Sequence, residues 1–158
     1  MPIRQCETCT ACCEGWINAK VKGKKLRPYK ACKHCTSKGC GIYLSRPARP
    51  CRSFKCGWLK QPSPLPDHMR PNECGAIIVF DRKWARAQVT YAMPTGERIP
   101  DETLAWLMAY SRKTKIPLIW SENIVENGRY IHTKRAGYGP PSFILSVQNT
   151  PKDKGASM

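Results

Sequence analysis

Four cysteines stand within the first thirteen residues, spaced Cys6-x2-Cys9-x2-Cys12-Cys13. Two cysteines three apart can wrap a single metal centre, because the backbone between them turns its N–H groups toward the sulfurs. Cys6, Cys9 and Cys12 match the first three ligands of the bacterial four-iron run C-x2-C-x2-C-x3-C-P, and the fourth position falls on Trp16. A remote cysteine must therefore complete any such cluster. Adjacent side chains project in different directions, so Cys13 is free to serve a second site.

Five more cysteines precede residue 60, namely Cys32, Cys35, Cys40, Cys51 and Cys56, while Cys74 stands alone beyond them. A disulfide framework and a set of metal-bound thiolates compete to explain such a pattern. The opening Met1-Pro2-Ile3-Arg4-Gln5-Cys6 has no apolar signal-peptide core, which sets the expectation of a cytoplasmic protein. In a reducing cytosol, clustered cysteines serve metal or catalysis. Hydropathy agrees. Apolar residues make up 41% of the chain, but the first sixty offer only Ile3, Ile17, Val21, Leu26, Ile42, Leu44, Phe54 and Leu59, with a few aromatics. A unit that poor in core needs disulfides or metal to hold it.

The second cysteine group reads Cys32-x2-Cys35-x4-Cys40-Gly-Ile42-Tyr43, then Arg46-Pro47, then Cys51-Arg52-x-Phe54-x-Cys56. Joined to the opening Cys6-Cys9-Cys12-Cys13 series, it resembles the YkgJ-type cysteine-cluster family, which carries a zinc- or iron-chelating CxxCxxCC domain. The resemblance covers roughly residues 1–60. It implies metal chelation by Cys6, Cys9, Cys12, Cys13, Cys32, Cys40, Cys51 and Cys56, with an iron–sulfur cluster, preferably of the 4Fe-4S type, or zinc as the cofactor. A related cysteine motif occurs in flagellin lysine N-methylases, which look like cluster proteins acting with S-adenosylmethionine. The chain departs from the family at Cys35, where an apolar residue is usual, and its second half has no methylase counterpart. Cys35 is an additional candidate ligand.

Residues 1–60 hold 14 lysines and arginines against Glu7 and Glu14, which places +12 of the chain's formal +16 there. Cations beside thiols lower their pKa values and balance anionic metal–thiolate centres. Arg46 and Arg52, flanking Cys51 with Arg49, are candidates for that role, and Tyr43 and Phe54 for packing over the site to limit solvent. The competing account of the arginines is a solvated basic loop. His34, between Lys33 and Cys35, could replace a cysteine as a zinc ligand, but the expected reading is solvent exposure; Cys74 reads as a buried free thiol.

Three functions follow from these residues. The first is a metal-chelating protein whose cluster or zinc supports the fold, with a redox or cluster-handling role. The second is a zinc-ribbon-like nucleic-acid-binding module, using Cys6, Cys9, Cys32 and Cys35 as one four-thiolate site and the Lys20–Lys30 excursion on phosphates. The third is a cluster-dependent enzyme related to the methylases. No Gly-rich phosphate loop, Ser-His-Asp order or paired carboxylates near cysteine support other catalysis. Nucleic-acid binding is expected to be weak, because thiolates offset much of the local charge and no stacking platform is evident.

The elements that must position these residues read as a small α+β chain. Residues 1–60 form a metal-stabilised, irregular cysteine-rich unit, with a basic loop or hairpin around Gly23. Residues 61–71, with prolines at 62, 64, 66 and 71, form an extended connector. Residues 72–148 form a small α+β unit, and 149–158 a disordered polar tail. Within 72–148, Ala76 to Phe80 is a buried strand, and Trp84 to Met93 is open between strand and helix. A helix starts at Pro100-Asp101 with Asp101 as its N-cap and ends before Pro117. Leu118 to Trp120 is a strand, and Gly137 to Pro141 a turn. No run of eighteen apolar residues exists to cross a membrane as a helix.

Overall fold

The computed structural model describes residues 4–6, 9–17 and 19–149; the tail expected beyond Asn149 lies outside the described residues. The fold is mixed α+β, and its frame is a four-stranded sheet in sequence order. The Ala76–Phe80 run extends into β5, Ala76–Trp84. Ala85 and Arg86 both take positive φ, a two-residue turn suited to a hairpin, and β6 returns as Ala87–Pro94. The segment left open between helix and strand is thus a turn followed by a strand.

Helix α2, Asp101–Thr114, crosses over to place β7, Leu118–Glu126, parallel to β6. Asp101 is the first residue of this helix, and Pro100 occupies the N-cap without a side-chain cap. Asp101 and Glu102 still favour the helix start through the positive end of its dipole. Strand β8, Arg129–Tyr138, closes the sheet antiparallel to β7 after Asn127-Gly128, both at positive φ. Gly137 and Tyr138, expected in a turn, complete β8, and the chain bends at Gly139-Pro140 into α3, Pro141–Gln148.

The sheet is covered on both faces. On one, Val89 and Ile119 meet Val147 of α3, with Trp84 and Phe143 beside them. On the other, Ile78 and Leu118 join Leu107 of α2 and a run of N-terminal residues: Ala11, Ile17, Val21, Leu26, Cys56 and Trp58. One buried cluster therefore spans the cysteine-rich residues and the sheet.

The N-terminal elements are short. Strands β1, Lys20–Val21, and β2, Lys24–Lys25, form the hairpin expected around Gly23. Strands β3, Cys35–Thr36, and β4, Gly39–Cys40, form a second. The segment expected to be an extended connector instead makes a helical turn at Asp67–Met69, before the one-turn α1, Pro71–Cys74. It is built into the core through Leu65 and Met69, each 2% exposed, because apolar side chains between the prolines find the face left open under Trp58. No helix among the described residues is long and apolar enough to cross a membrane.

Candidate metal centre

A helical turn at Cys12–Trp16 carries the cysteine doublet and holds Gly15 at a φ of 97°. Gly15 is obligatory there on two counts. The conformation is left-handed, and a Cβ would collide with the carbonyls of Arg27 and Lys30. This close approach seats the turn on the loop that leads to Cys32, and Trp16 meets Tyr29 edge-on at 5.0 Å. The Cys32 N–H then donates to the Cys13 carbonyl at 2.6 Å. Ahead of the doublet, the Cys9 N–H donates to the Cys6 carbonyl at 2.8 Å, the knuckle expected of a C-x2-C pair. The β3–β4 hairpin sets Cys35 opposite Cys40, and a turn at Ala48–Arg52 carries Cys51.

Cys56 is placed by the sheet. The Gly57 N–H donates to the Ile78 carbonyl of β5 at 2.5 Å, and a Cβ on Gly57 would lie 2.6 Å from the Phe80 ring. Only a glycine permits the backbone after Cys56 to lie this close to the strand. Arg4 secures the same region, donating to the carbonyls of Trp58 at 2.9 Å and Leu65 at 2.8 Å while lying 4.8 Å from the Trp58 ring.

These elements enclose one cavity of about 680 Å³, lined by Cys6, Cys9, Cys12, Cys13, Cys32, Cys40, Cys51 and Cys56. Cys35 and Cys74 are not among its walls. All ten thiols are free, and among the described residues no three His, Cys, Asp or Glu side chains form a group that would hold a single metal ion. No family model, curated protein or solved structure matches the chain.

The electrostatics of the thiols record who stands beside whom. Burial holds the Cys12 thiol well above its ordinary range, reinforced by Cys56, Cys6, Cys9 and Cys13. Burial also pushes Cys13 up to about 12, and there the added contributions come from Cys40, Cys35, Cys32 and Cys51. Cys56 is raised by burial and by Cys6 and Cys9, although the Leu59 and Trp58 N–H groups draw it partly back. Cys51 is raised by burial, Cys40 and Cys32, against Arg46. Thiols that suppress one another's ionisation in this way are relieved by a bound cation or cationic cluster, which takes them as thiolates.

The cavity walls also include Arg4, Arg46, Arg52, Lys55 and Lys60 and, among the described residues, no carboxylate. Arg46 is half-buried and lies 3.8 Å from the Tyr43 ring centroid; its Nε is buried and has no hydrogen-bond partner. Arg52 is exposed and donates to the Leu44 carbonyl at 3.3 Å. Phe54 is half-buried against the core, whereas Tyr43 is 42% exposed and lines the mouth. His34, expected to face solvent, is half-buried and lines the cavity, with its Nε2 buried and unpartnered. The lysine before it argued for exposure, but the Gly41 N–H bond to the His34 carbonyl at 2.7 Å folds the residue inward. Cys74 is buried as expected, its thiol donating to the Met69 and Ala76 carbonyls at 3.3 Å.

Proposed function

We propose that this chain is a cysteine-cluster metalloprotein of the YkgJ type, holding iron–sulfur in the thiol-lined cavity and depending on it for the fold of residues 1–60. The observation that carries the reading is that the eight cysteines of the family pattern line one cavity while Cys35 and Cys74, which lie outside that pattern, do not. Chance placement would not sort the ten thiols by the motif.

Cavity size supports a cluster over a single zinc. Four thiolates on zinc stand roughly 3.8 Å apart, from a bond of about 2.3 Å, which leaves no open space among them. A cavity of about 680 Å³ suits a bulkier group. When bound, such a group supplies one-electron redox chemistry. The chain's own residues hold it as thiolates, offset its charge through Arg46 and exclude water with Phe54.

The zinc-ribbon alternative is less well supported. It needs Cys6, Cys9, Cys32 and Cys35 as neighbours, but Cys6 stands beside Cys9 and Cys35 beside Cys32 and Cys40. Anaerobic purification with absorption spectroscopy, iron, zinc and acid-labile sulfide analysis tests the proposal. Brown protein with iron and sulfide in equal amounts is expected. Colourless protein carrying only zinc would refute it.

A further inference from the structure

We propose that the basic double turn Lys20–Lys30 binds single-stranded nucleic acid, with its cations on phosphates and the Tyr29 ring stacked on a base. This goes beyond the metal-holding role proposed above and does not depend on which group fills the cavity. Six lysines and arginines stand among these eleven residues, and all six are exposed. Of the whole segment only Val21 and Leu26 line the cavity, whose own cations are Arg4, Arg46, Arg52, Lys55 and Lys60. The charge of the double turn thus lies outside the walls that meet the thiols.

The register sets like charges against each other. Lys20 lies directly opposite Lys25 across β1 and β2, and Arg27 opposite Lys30 in the next turn. Like charges facing across an antiparallel pair repel and destabilise it. No acidic residue occurs between Glu14 and Asp67, and none of the six cations makes an ion pair among the described residues. An anionic partner relieves both repulsions, and the phosphates of a nucleic acid supply that charge in series.

The stacking platform not evident in the sequence is Tyr29. The Lys30 N–H donates to the Arg27 carbonyl at 3.0 Å, closing a turn with Pro28 and Tyr29 at its centre. Tyr29 takes a φ of 65°, at a position where glycine or asparagine is usual. Its ring is held all the same: Trp16 lies 5.0 Å away in an edge arrangement and Tyr130 of β8 at 6.4 Å, while 50% of Tyr29 stays exposed. Burial and then Glu97 raise the Tyr29 hydroxyl above its ordinary range, so the phenol is uncharged at neutral pH. A half-exposed ring among cations suits an unpaired base, whereas a duplex keeps its bases stacked on one another. A lipid surface fits less well, because Val21 and Leu26 are 6% and 5% exposed and cannot enter it.

The test uses the full chain in its metal-loaded form and a fluorescent oligouridine of about twelve nucleotides. Anisotropy at about 150 mM salt, the physiological ionic strength, is expected to show saturable binding, tighter than to a duplex of the same length. The slope of log affinity against log salt should lie between about −2 and −4, the release expected from three to six phosphate contacts on a single strand. Lys25→Gln should make that slope shallower by about 0.7. Tyr29→Phe should bind as the wild type does. Tyr29→Leu should bind about 5- to 150-fold more weakly with an unchanged slope, the loss of one stacked base. The wild-type comparisons need no variant to fold. Absence of binding at this salt, equal affinity for the duplex, or preference for phosphatidylserine vesicles overturns the proposal. So does a Tyr29→Leu variant with native circular dichroism and wild-type affinity.

Discussion

Cys32 donates its backbone N–H to the carbonyl of Cys13 at 2.6 Å, so a residue nineteen positions downstream is fixed against the doublet by the main chain. The bond brings the two cysteine groups together without using a thiol. It leaves every sulfur on the cavity wall available.

Metal removal should loosen residues 20–60 before the sheet. Those residues hold the hairpins and turns that carry five of the ten cysteines, and their segments are two to five residues long. Strands β5 to β8 have eight to ten residues each and are backed by α2 and α3. After chelation, trypsin is expected to cut first at Lys20 to Lys60 while a fragment covering 76–148 persists. Equal cutting of loaded and stripped protein would count against metal-dependent folding.

Gly57→Ala should destabilise the chain by about 1–3 kcal/mol, the usual cost of forcing a methyl into a packed site. Its Cβ would meet the Phe80 ring at 2.6 and 2.7 Å and the Ile78 carbonyl at 2.8 Å. Chemical denaturation measures the loss, and iron content should fall with it because Cys56 is the preceding residue. Gly96→Ala, with nothing near its Cβ, is the control.

Arg4→Leu and Asp67→Asn should separate although the two side chains pair at 2.9 Å. Asp67 is 90% exposed, so its ion pair contributes under about 0.5 kcal/mol. Arg4 satisfies two part-buried carbonyls, and its loss should cost about 1–3 kcal/mol. Comparable losses from both variants in urea unfolding would contradict this.

Thiol labelling should distinguish Cys35 from Cys74 in loaded protein. Cys74 is buried with its thiol pushed up to about 11, so roughly one molecule in ten thousand holds the thiolate at pH 7. Cys35 is half-buried and outside the cavity wall. Mass spectrometry after brief alkylation at neutral pH is expected to find one label, on Cys35. The Cys74 rate should rise about tenfold per pH unit toward pH 11, because folding raises its pKa and the reactive form appears only as that pKa is approached. Rapid labelling of Cys74 at pH 7 would contradict the buried environment.

How much of this was legible in the sequence varies with the physics behind each residue. The CxxC spacing announces its own backbone knuckle, and the Ala76–Phe80 run and the limits of α2 followed from local hydropathy and proline. Strand β8 was missed. Arg129–Tyr138 is polar and half-exposed, and its apolar signal is too thin, although Asn127-Gly128 is a strong hairpin turn that would have revealed it. His34 misled because the preceding Lys33 speaks for solvent, while its inward position goes with the bond from Gly41, just past the β3–β4 hairpin. The placing of Cys56 on one cavity wall with the opening cysteines has no local signature, since it depends on Gly57 meeting a strand twenty residues further on.

That meeting has a consequence in time. Cys56 is held by Gly57 bonding to Ile78 and fitting against Phe80, so the thiol-lined cavity cannot be completed until that strand has been synthesised. At about 5–20 residues per second the chain between Cys56 and Phe80 takes about 1–5 s to make. For that interval the nascent polypeptide presents reduced, unassembled thiols to whatever oxidant or stray metal surrounds the ribosome. A translational pause that leaves Cys56 outside the ribosome and Phe80 still inside it lengthens the exposure.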